Sequence, residues 1–375
     1  MTATEQPTAT VQPVTQPQTR PASRPVDPDK LMAFVFRAVD EVGATLNTAL
    51  VVMGDALGYY RAMADGAGIT PSELAERTAT SEHYAREWLA AQAAGGYVEH
   101  DPVTRRYTLP AEHASALVDE SSPAYLPGFF QIAAGTVRDA AGVIEAARNG
   151  DGIGWHAHNS DVHVGCERFF RTMYNAHLTS EWLPALDGVV AKLERGAAVA
   201  DVGCGHGAST ILMARHFPRS TFTGSDYHAG SIEIARSRAA EAGVGDRVRF
   251  EIAPAASFSG SGYDLVTMFD CLHDMGDPVG AARHVREAIA DDGTWMIVEP
   301  MAGDRVEDNL NPVGRAYYGF STLLCTPASL SQDVGLALGT QAGPARIKDV
   351  VTAGGFSRFR AATATPFNNV LEVRP

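Results

Sequence analysis

A glycine-rich loop directly after an apolar run is the clearest chemical signal in this chain of 375 residues. The run Ala198–Val202 leads into Asp201-Val-Gly-Cys-Gly-His-Gly207, with glycines at 203, 205 and 207. Glycine at such positions lets a backbone approach a ligand closely. Asp226 ends the next apolar run, where a carboxylate can accept hydrogen bonds from both hydroxyls of a ribose. This pattern predicts a site for a nucleoside cofactor.

The loop alone leaves two cofactor classes open. Gly203, Gly205 and Ala208 also satisfy the GxGxxG/A pattern of NAD-binding proteins, which Asp226 would serve equally well. Asp201 separates the classes, because a carboxylate there would face the diphosphate of NAD unfavourably. It suits a ligand with an ammonium group, which makes a nicotinamide oxidoreductase the weaker interpretation.

His273 is the candidate for proton transfer. It lies just beyond the predicted strand Tyr263–Phe269, and the ordinary pKa of histidine suits it to accept a proton near neutral pH. A histidine here could also simply brace the cofactor loop, so both roles stay open.

The elements around these residues alternate between strand and helix from Gly196 onward. This alternation predicts an α/β fold with a parallel sheet and helices on both faces, whose ligands bind beyond the carboxyl ends of the strands. Asp201, Asp226, the Phe269–Asp270 corner and Glu299 should all reach that edge. The strands are predicted at 198–202, 221–225, 248–252, 263–269 and 294–299, with a terminal pair near 357–360 and 369–373.

The N-terminal part of the chain is predicted to be mainly helical. Apolar residues recur at helical spacing between Leu31 and Met63, which indicates one or two long helices. Thr70, Pro71 and Glu73 form a capping-box pattern, a further helix ends at Gly95-Gly96, and a hairpin follows. Three helices and a hairpin are the order of a winged helix.

The charge of this module disfavours a DNA-binding regulator, the competing class of protein. Between Asp65 and Ala114 eight acidic residues face four arginines, a balance of −4 within a chain of net charge −14. DNA affinity depends largely on neutralising phosphates, so we expect no nucleic-acid partner.

The composition also bears on the cellular compartment of the protein. The four cysteines are dispersed and are predicted to be reduced, which favours a cytoplasmic location. No apolar run is long enough to span a membrane, and residues 1–28, rich in Thr, Pro and Gln, are predicted to be a disordered leader.

Histidines 156, 158, 163 and 177 lie close in sequence. Because no third ligand for a metal ion is identifiable, we interpret them as solvated or substrate-facing.

From Ala198 to the C-terminus the sequence resembles class I S-adenosylmethionine-dependent methyltransferases, through Asp201–Gly207, Asp226, Tyr263–Val266, Leu272–Asp277 and Ala353–Phe356. With its upstream winged helix it resembles plant-type small-molecule O-methyltransferases and especially mycobacterial winged-helix methyltransferases. The resemblance implies a Rossmann-like sheet of seven strands, mostly parallel with an antiparallel last strand, and S-adenosylmethionine as cofactor.

The resemblance also implies roles for individual residues. Gly203, Gly205 and Gly207 would line the methionine and ribose, Asp226 would bind the ribose, and Asp201 would face the ammonium group. Phe269 belongs to the same cofactor edge. The family's usual acid for adenine is missing from Ala253-Pro-Ala-Ala-Ser257, so adenine would depend on the backbone of Ala255 and Ala256 and on apolar packing.

His273 aligns with the histidine base in the Leu-His-Asp-Trp-Ser-Asp type of run of plant-type O-methyltransferases, which implies O-methylation of a small molecule. The alternative is C-methylation of a keto acid, with a metal held by His273, Asp274 and a later histidine. The segment Tyr317–Cys325 contains no histidine, so such a two-histidine, one-carboxylate site is incomplete.

These inferences predict a methyltransferase with no metal, a small-molecule substrate and a homodimeric state. The predicted divisions are the leader 1–28, a winged-helix and dimerisation domain 29–124, a helical substrate cover 125–185 and a cofactor domain 186–375. Residues 125–185 and 310–340 should determine the acceptor, which the sequence does not identify.

Overall fold

The computed structural model describes residues 25–375, in which residues 25–44 form one unit and residues 45–375 another. Most of the predicted leader lies outside the described residues, and its last residue, Pro28, already begins helix α1 (Pro28–Ala56). The division at residue 44 falls inside this helix. It does not test the predicted domain boundaries at 124 and 185, which stay predictions.

The first part of α1 carries an apolar stripe that this chain leaves exposed. The periodicity of the sequence correctly predicted the helix, and Arg37 and Glu41 pair across one turn at 3.8 Å. Large apolar side chains on the helix are nevertheless 39–68% exposed: Leu31, Met32, Phe34, Val35, Phe36, Val39, Val42 and Leu46. Such a stripe normally faces another apolar surface.

The predicted winged-helix order is present within residues 45–119. Its elements after α1 are α2 (Tyr59–Ala62), α3 (Pro71–Thr78), α4 (Glu82–Ala94), the antiparallel pair β1 (Glu99–Asp101) and β2 (Arg106–Thr108), and α5 (Ala111–Leu117). The predicted capping box is formed at α3, where the Glu73 amide donates to Thr70 Oγ1 at 3.3 Å and the Thr70 amide donates to Glu73 Oε2 at 2.9 Å. The Trp88 ring packs edge-on against both Tyr59 and Tyr60 in the core of this module.

A helical segment connects the winged helix to the sheet. It contains α6 (Pro127–Arg138), α7 (Ala140–Asn149), a 3-10 turn (Trp155–Ala157), α8 (Ser160–Met173), a π-helical stretch (Tyr174–Trp182) and α9 (Val189–Arg195). Glycines bring α6 and α8 close together, because a Cβ on Gly128 would lie 2.6 Å from the Phe169 amide and one on Gly165 would lie 2.6 Å from the Ile132 amide. The predicted helical character of 125–185 is confirmed.

Seven strands form the central sheet, in the order β5-β4-β3-β6-β7-β9-β8. They are β3 (Ala198–Val202), β4 (Thr221–Asp226), β5 (Val248–Ile252), β6 (Tyr263–Phe269), β7 (Ile289–Pro300), β8 (Arg358–Ala364) and β9 (Asn368–Arg374). Only β9 runs against the other strands of this sheet. The predicted fold class is therefore confirmed.

Helices cover both faces of the sheet and place loops at one edge. They are α10 (Ala208–His216), α11 (Ala229–Glu241), α12 (Pro278–Ala288), α13 (Pro312–Phe320), α14 (Thr326–Leu330) and α15 (Gly343–Ala353). A π-helical turn, Ser321–Cys325, joins α13 to α14. Within residues 25–375 no helix combines the length and the apolar character needed to cross a bilayer.

Candidate functional site

The glycine loop leaves β3 in a backbone conformation that favours glycine. Gly203, Gly205 and Gly207 all have positive φ angles, of 74°, 51° and 77°. A Cβ on Gly207 would lie 2.7 Å from the Phe250 ring, whereas a Cβ on Gly205 would meet nothing within 4 Å. Gly205 thus borders open space, while Gly207 is required by packing.

Asp226 connects the glycine loop to the end of β4. Its Oδ2 accepts a hydrogen bond from the Gly205 amide at 3.0 Å, and its Oδ1 accepts one from the His228 amide at 2.9 Å. Burial raises the pKa of this carboxyl, and the two amides oppose the shift. Each oxygen accepts one of these bonds and retains capacity for a second, as a ribose diol would require.

Asp201 is a buried carboxylate at the end of β3. It is 1% exposed, and its carboxylate accepts hydrogen bonds from Ser209 Oγ at 2.7 Å, Thr210 Oγ1 at 2.5 Å and Thr267 Oγ1 at 2.9 Å. Burial raises the pKa of Asp201, and these three hydroxyls oppose the rise. The side chain therefore anchors the start of α10, a function that its position in the sequence did not indicate.

The predicted adenine side is formed by the turn after β5. The Ala253 amide donates to the Asp226 carbonyl at 3.0 Å, which holds this turn beside the ribose residue. Ala255 is half-buried and Ala256 is exposed. Exposed Tyr227, which directly follows Asp226, adds an aromatic ring that the sequence reasoning did not single out.

The Phe269–Asp270 corner follows β6. The Phe269 ring is buried, with its centroid 5.0 Å from that of Tyr174, so it supports the site through packing. Asp270 adopts a positive φ of 48°, and its Oδ2 accepts a hydrogen bond from Asn368 Nδ2 at 3.2 Å. Burial raises the pKa of Asp270 well above its ordinary value.

His273 lies in the 3-10 turn Leu272–Asp274 and is 3% exposed. Its Nδ1 contacts Glu299 Oε2, and Glu299 Oε1 accepts a hydrogen bond from the Leu272 amide at 3.0 Å. Its Nε2 lies 3.2 Å from Asp274 Oδ1. Burial disfavours the charged imidazolium, but the facing carboxylates of Glu299 and Asp274 outweigh it and raise the pKa of His273 well above 6.5.

Cys325 joins His273 and Asp274 from the π-helical turn before α14. One ligand atom from each of these three residues lies within 4.8 Å of the other two, the only such trio among the described residues. Burial raises the pKa of the Cys325 thiol to about 12. Sequence reasoning searched this segment for a histidine and missed the cysteine, which only the folded chain brings to the His-Asp pair.

The histidines at 156, 158, 163 and 177 have partners in different parts of the chain. The His156 ring stacks on the His228 ring, with centroids 3.4 Å apart, and lies 5.3 Å from the His163 ring. His158 Nδ1 lies 3.1 Å from Asp139, and His177 Nδ1 lies 3.1 Å from Glu181. The 3-10 turn Trp155–Ala157 therefore contacts the segment that follows Asp226.

Two family models match parts of the chain. Residues 200–295, which contain the glycine loop, Asp226 and His273, match a model described as a methyltransferase domain. Residues 45–119 match an Rv2258c-like winged HTH domain. These matches confirm the predicted resemblance in both parts of the chain.

Curated relatives match over shorter stretches. The 27-O-demethylrifamycin SV methyltransferase of Amycolatopsis mediterranei is 32% identical over 143 residues, covering 38% of this chain and 44% of that protein. A ubiquinone biosynthesis O-methyltransferase of Chelativorans sp. is 33% identical over 91 residues, covering 24% of this chain and 35% of that protein. The chain thus spans less than half the length of these relatives.

Solved structures share the fold over nearly the whole chain. An O-methyltransferase family protein from Burkholderia thailandensis has a TM-score of 0.66 at 18% identity, covering 91% of this chain and 98% of its own. Human N-acetylserotonin methyltransferase in complex with S-adenosylmethionine gives 0.66 at 14% identity, with 91% and 97% covered. An O-methyltransferase from neocarzinostatin biosynthesis, bound to S-adenosylhomocysteine and 1,4-dihydroxy-2-naphthoic acid, gives 0.62 at 18%, with 90% and 98% covered.

Proposed function

We propose that this chain transfers the methyl group of S-adenosylmethionine to a hydroxyl of a small molecule. The methyltransferase-domain match across residues 200–295 carries this proposal, because it includes the loop, the ribose residue and the proton-transfer candidate together. The solved relatives that share the fold include complexes with S-adenosylmethionine and S-adenosylhomocysteine.

The cofactor would lie along the ends of β3, β4 and β5. Gly203, Gly205 and Gly207 line the methionine and ribose, and the open space beside Gly205 supports this placement. Asp226 accepts hydrogen bonds from the ribose hydroxyls with its remaining lone pairs. Asp201 Oδ1, which accepts one hydrogen bond from Thr267, has capacity for the ammonium group.

Adenine would pack against the turn after β5. Ala255 and Ala256 offer it backbone groups and small apolar side chains. Phe269 contributes from β6 by packing behind the cofactor edge.

The reaction is a displacement at the methyl carbon. The acceptor oxygen forms a bond to that carbon while the carbon–sulfur bond breaks, and the electron pair returns to sulfur to give S-adenosylhomocysteine. Holding the oxygen in line with the methyl group supplies much of the rate enhancement.

His273 is the proposed acceptor of the hydroxyl proton. Glu299 contacts Nδ1, so Nε2 is the nitrogen that would take the hydroxyl proton, after it has lost the proton that its raised pKa favours. The carboxylates of Glu299 and Asp274 stabilise the imidazolium that forms, as a triad carboxylate does. Glu299 is therefore a positioning residue, and a purely bracing His273 is the alternative that the kinetics must separate.

A homodimer and a cytoplasmic location complete the proposal. The exposed apolar stripe of α1 supports the dimer, and four cysteines without a disulfide suit a reducing compartment. Residues 125–185 and 310–340 would determine the acceptor.

The experiment that tests the function uses S-adenosylmethionine with a labelled methyl group. The full chain is incubated with this cofactor and a panel of hydroxylated aromatic compounds, with matched amines and keto acids as controls. Mass spectrometry should find the label on oxygen of a hydroxylated compound. Label on the keto acids would support C-methylation instead, and tighter binding of NAD than of S-adenosylhomocysteine would contradict the cofactor assignment.

A further inference from the structure

Three metal-ligating side chains converge at the turn that follows β6. His273 and Asp274 lie in the turn after β6, and Cys325 lies in the π-helical turn before α14. Their ligand atoms lie within 4.8 Å of one another. A tetrahedral ion with bonds of about 2.0–2.3 Å holds its ligand atoms about 3.3–3.8 Å apart, so modest side-chain rotation would close this trio on an ion.

Glu299 prepares the imidazole for such a role. Its contact with His273 Nδ1 directs Nε2 toward Asp274 and Cys325. A carboxylate on the far nitrogen of a ligating histidine is the usual outer partner at metal sites, where it fixes the ring and raises its basicity.

Asp274 contributes a buried carboxylate oxygen to this trio. Its Oδ1 is buried without a hydrogen-bond partner, although it lies 3.2 Å from His273 Nε2. A buried carboxylate oxygen without a donor is costly. A cation would supply the missing partner and would also favour the thiolate of Cys325.

We propose that His273 Nε2, Asp274 Oδ1 and Cys325 Sγ bind a divalent transition-metal ion such as Zn²⁺. One imidazole, one carboxylate and one thiolate suit zinc and its neighbours, and the thiolate disfavours Mg²⁺ and Ca²⁺. Three protein ligands leave the fourth position of a tetrahedral ion open.

The ion would inhibit methyl transfer, a consequence that depends on the proposed function. It occupies the Nε2 lone pair that would accept the hydroxyl proton. The metal-free chain would therefore catalyse O-methylation, and zinc would compete with proton transfer.

Binding is tested without reference to catalysis. The full chain is stripped with a chelator, dialysed and titrated with Co²⁺, followed by the thiolate-to-cobalt absorption band, and with Zn²⁺ in a calorimeter. We expect one ion per chain and affinity at least about tenfold weaker in Cys325→Ser and in the isosteric Asp274→Asn. Glu299→Gln should weaken binding by about 10–100-fold, as loss of an outer carboxylate does.

Two control variants locate the ion. Cys166→Ser removes a neighbouring thiol outside the trio and should bind cobalt like the native chain. His163→Ala tests the histidines beside His156 and should also leave binding intact. A missing thiolate band, a band that survives Cys325→Ser, or binding lost only in His163→Ala would each overturn the proposal.

Activity then separates this proposal from the proposed function. Zinc should inhibit methyl transfer by the native chain. The Cys325→Ser variant should be less sensitive to zinc, when its rate with zinc is compared with its own rate without zinc. Absence of cobalt binding in a chain that needs His273 for methyl transfer would refute only the metal site. Cobalt binding in a chain whose His273→Ala variant is fully active would refute only the proton acceptor.

Discussion

Asp226 unites the two loops that would hold the cofactor, because its two oxygens accept amide hydrogen bonds from Gly205 and His228. We predict that Asp226→Ala weakens binding of S-adenosylhomocysteine by roughly 1–3 kcal/mol, which is the usual value of hydrogen bonds to a charged group. Isothermal calorimetry at a fixed salt concentration measures the change.

The matched control for this prediction is Asp246→Ala. Asp246 is an exposed aspartate near β5 that pairs with Arg247, so its loss should leave cofactor affinity unchanged. Native affinity in Asp226→Ala would contradict the ribose role, provided that the variant unfolds at the native temperature.

His273 can be tested by separating turnover from cofactor binding. If His273 accepts the hydroxyl proton, its replacement by alanine should lower kcat by about 10²–10⁴, the usual contribution of general acid–base catalysis. Affinity for S-adenosylhomocysteine should hardly change, because the imidazole faces Asp274 and Glu299 rather than the glycine loop.

A bracing role for His273 predicts the opposite division, with weaker cofactor binding and a modest loss of kcat. Glu299→Gln should lower kcat less than His273→Ala does, since the imidazole remains present. His216→Ala at the end of α10 is the matched histidine control and should have native values for both constants.

For individual residues, the sequence predicted which residue types lie at the strand ends better than it predicted the directions of their side chains. The positions of Asp201 and Asp226 at strand ends were readable, because strands end where apolar alternation ends. That Asp201 turns toward Ser209, Thr210 and Thr267 depends on hydroxyls from two other elements. Cys325 could not be assigned to His273 and Asp274, because their proximity results from tertiary packing alone.

Elements with strong local signals were predicted closely. β3, β5 and β6 begin and end where apolar runs bounded by turns placed them. β7 begins earlier than predicted, at Ile289, because Ile289 pairs with Tyr263 across a register shift in β6. Pairing between distant strands therefore extended an element that local sequence placed at 294–299.

The stack of His156 on His228 predicts an effect of pH on stability. The His156 ring stacks on His228, and burial followed by the neighbouring His228, His163 and His206 lowers its pKa to about 4. Between pH 6.5 and 4 the unfolded chain binds the proton at this residue and the folded chain does not. Stability is thus complete above pH 6.5 and declines as pH falls toward 4.

The variant His156→Phe keeps an aromatic ring on His228 and removes the titration. Its Tm should fall less than the native Tm between pH 7 and pH 5, measured by thermal unfolding in matched buffers. The exposed His83→Phe is the control and should follow the native profile. Equal losses of Tm in the native chain and in His156→Phe would contradict the role of this stack.

For the whole molecule, the net charge of −14 bears on the winged helix. The helix that would enter a DNA groove, α4, carries Arg86 between Glu82 and Glu87, and all three are exposed. Since phosphate neutralisation dominates affinity, we predict no specific duplex binding in a low-salt mobility shift. The double variant Glu82→Lys/Glu87→Lys should gain weak, salt-sensitive binding, whereas a salt-sensitive nanomolar complex of the native chain would refute the prediction.

The exposed stripe of α1 predicts that two copies of the chain associate. Phe34 and Val42 are 67% and 61% exposed, and they belong to an apolar series that continues along the helix. A contiguous apolar surface of this kind is unfavourable in water, and a twofold dimer would bury the same surface of each copy. Light scattering coupled to size exclusion should give about twice the chain mass of 39.8 kDa.

Charge on the stripe should abolish this association without unfolding the rest of the chain. Phe34→Asp/Val42→Asp is expected to run as a monomer and to keep native affinity for S-adenosylhomocysteine, because neither residue belongs to the cofactor loops. The control Val103→Asp changes a valine that is 88% exposed in the hairpin turn, and should remain dimeric. A native chain that is monomeric at micromolar concentration, or a dimer that persists in the double variant, would contradict this prediction.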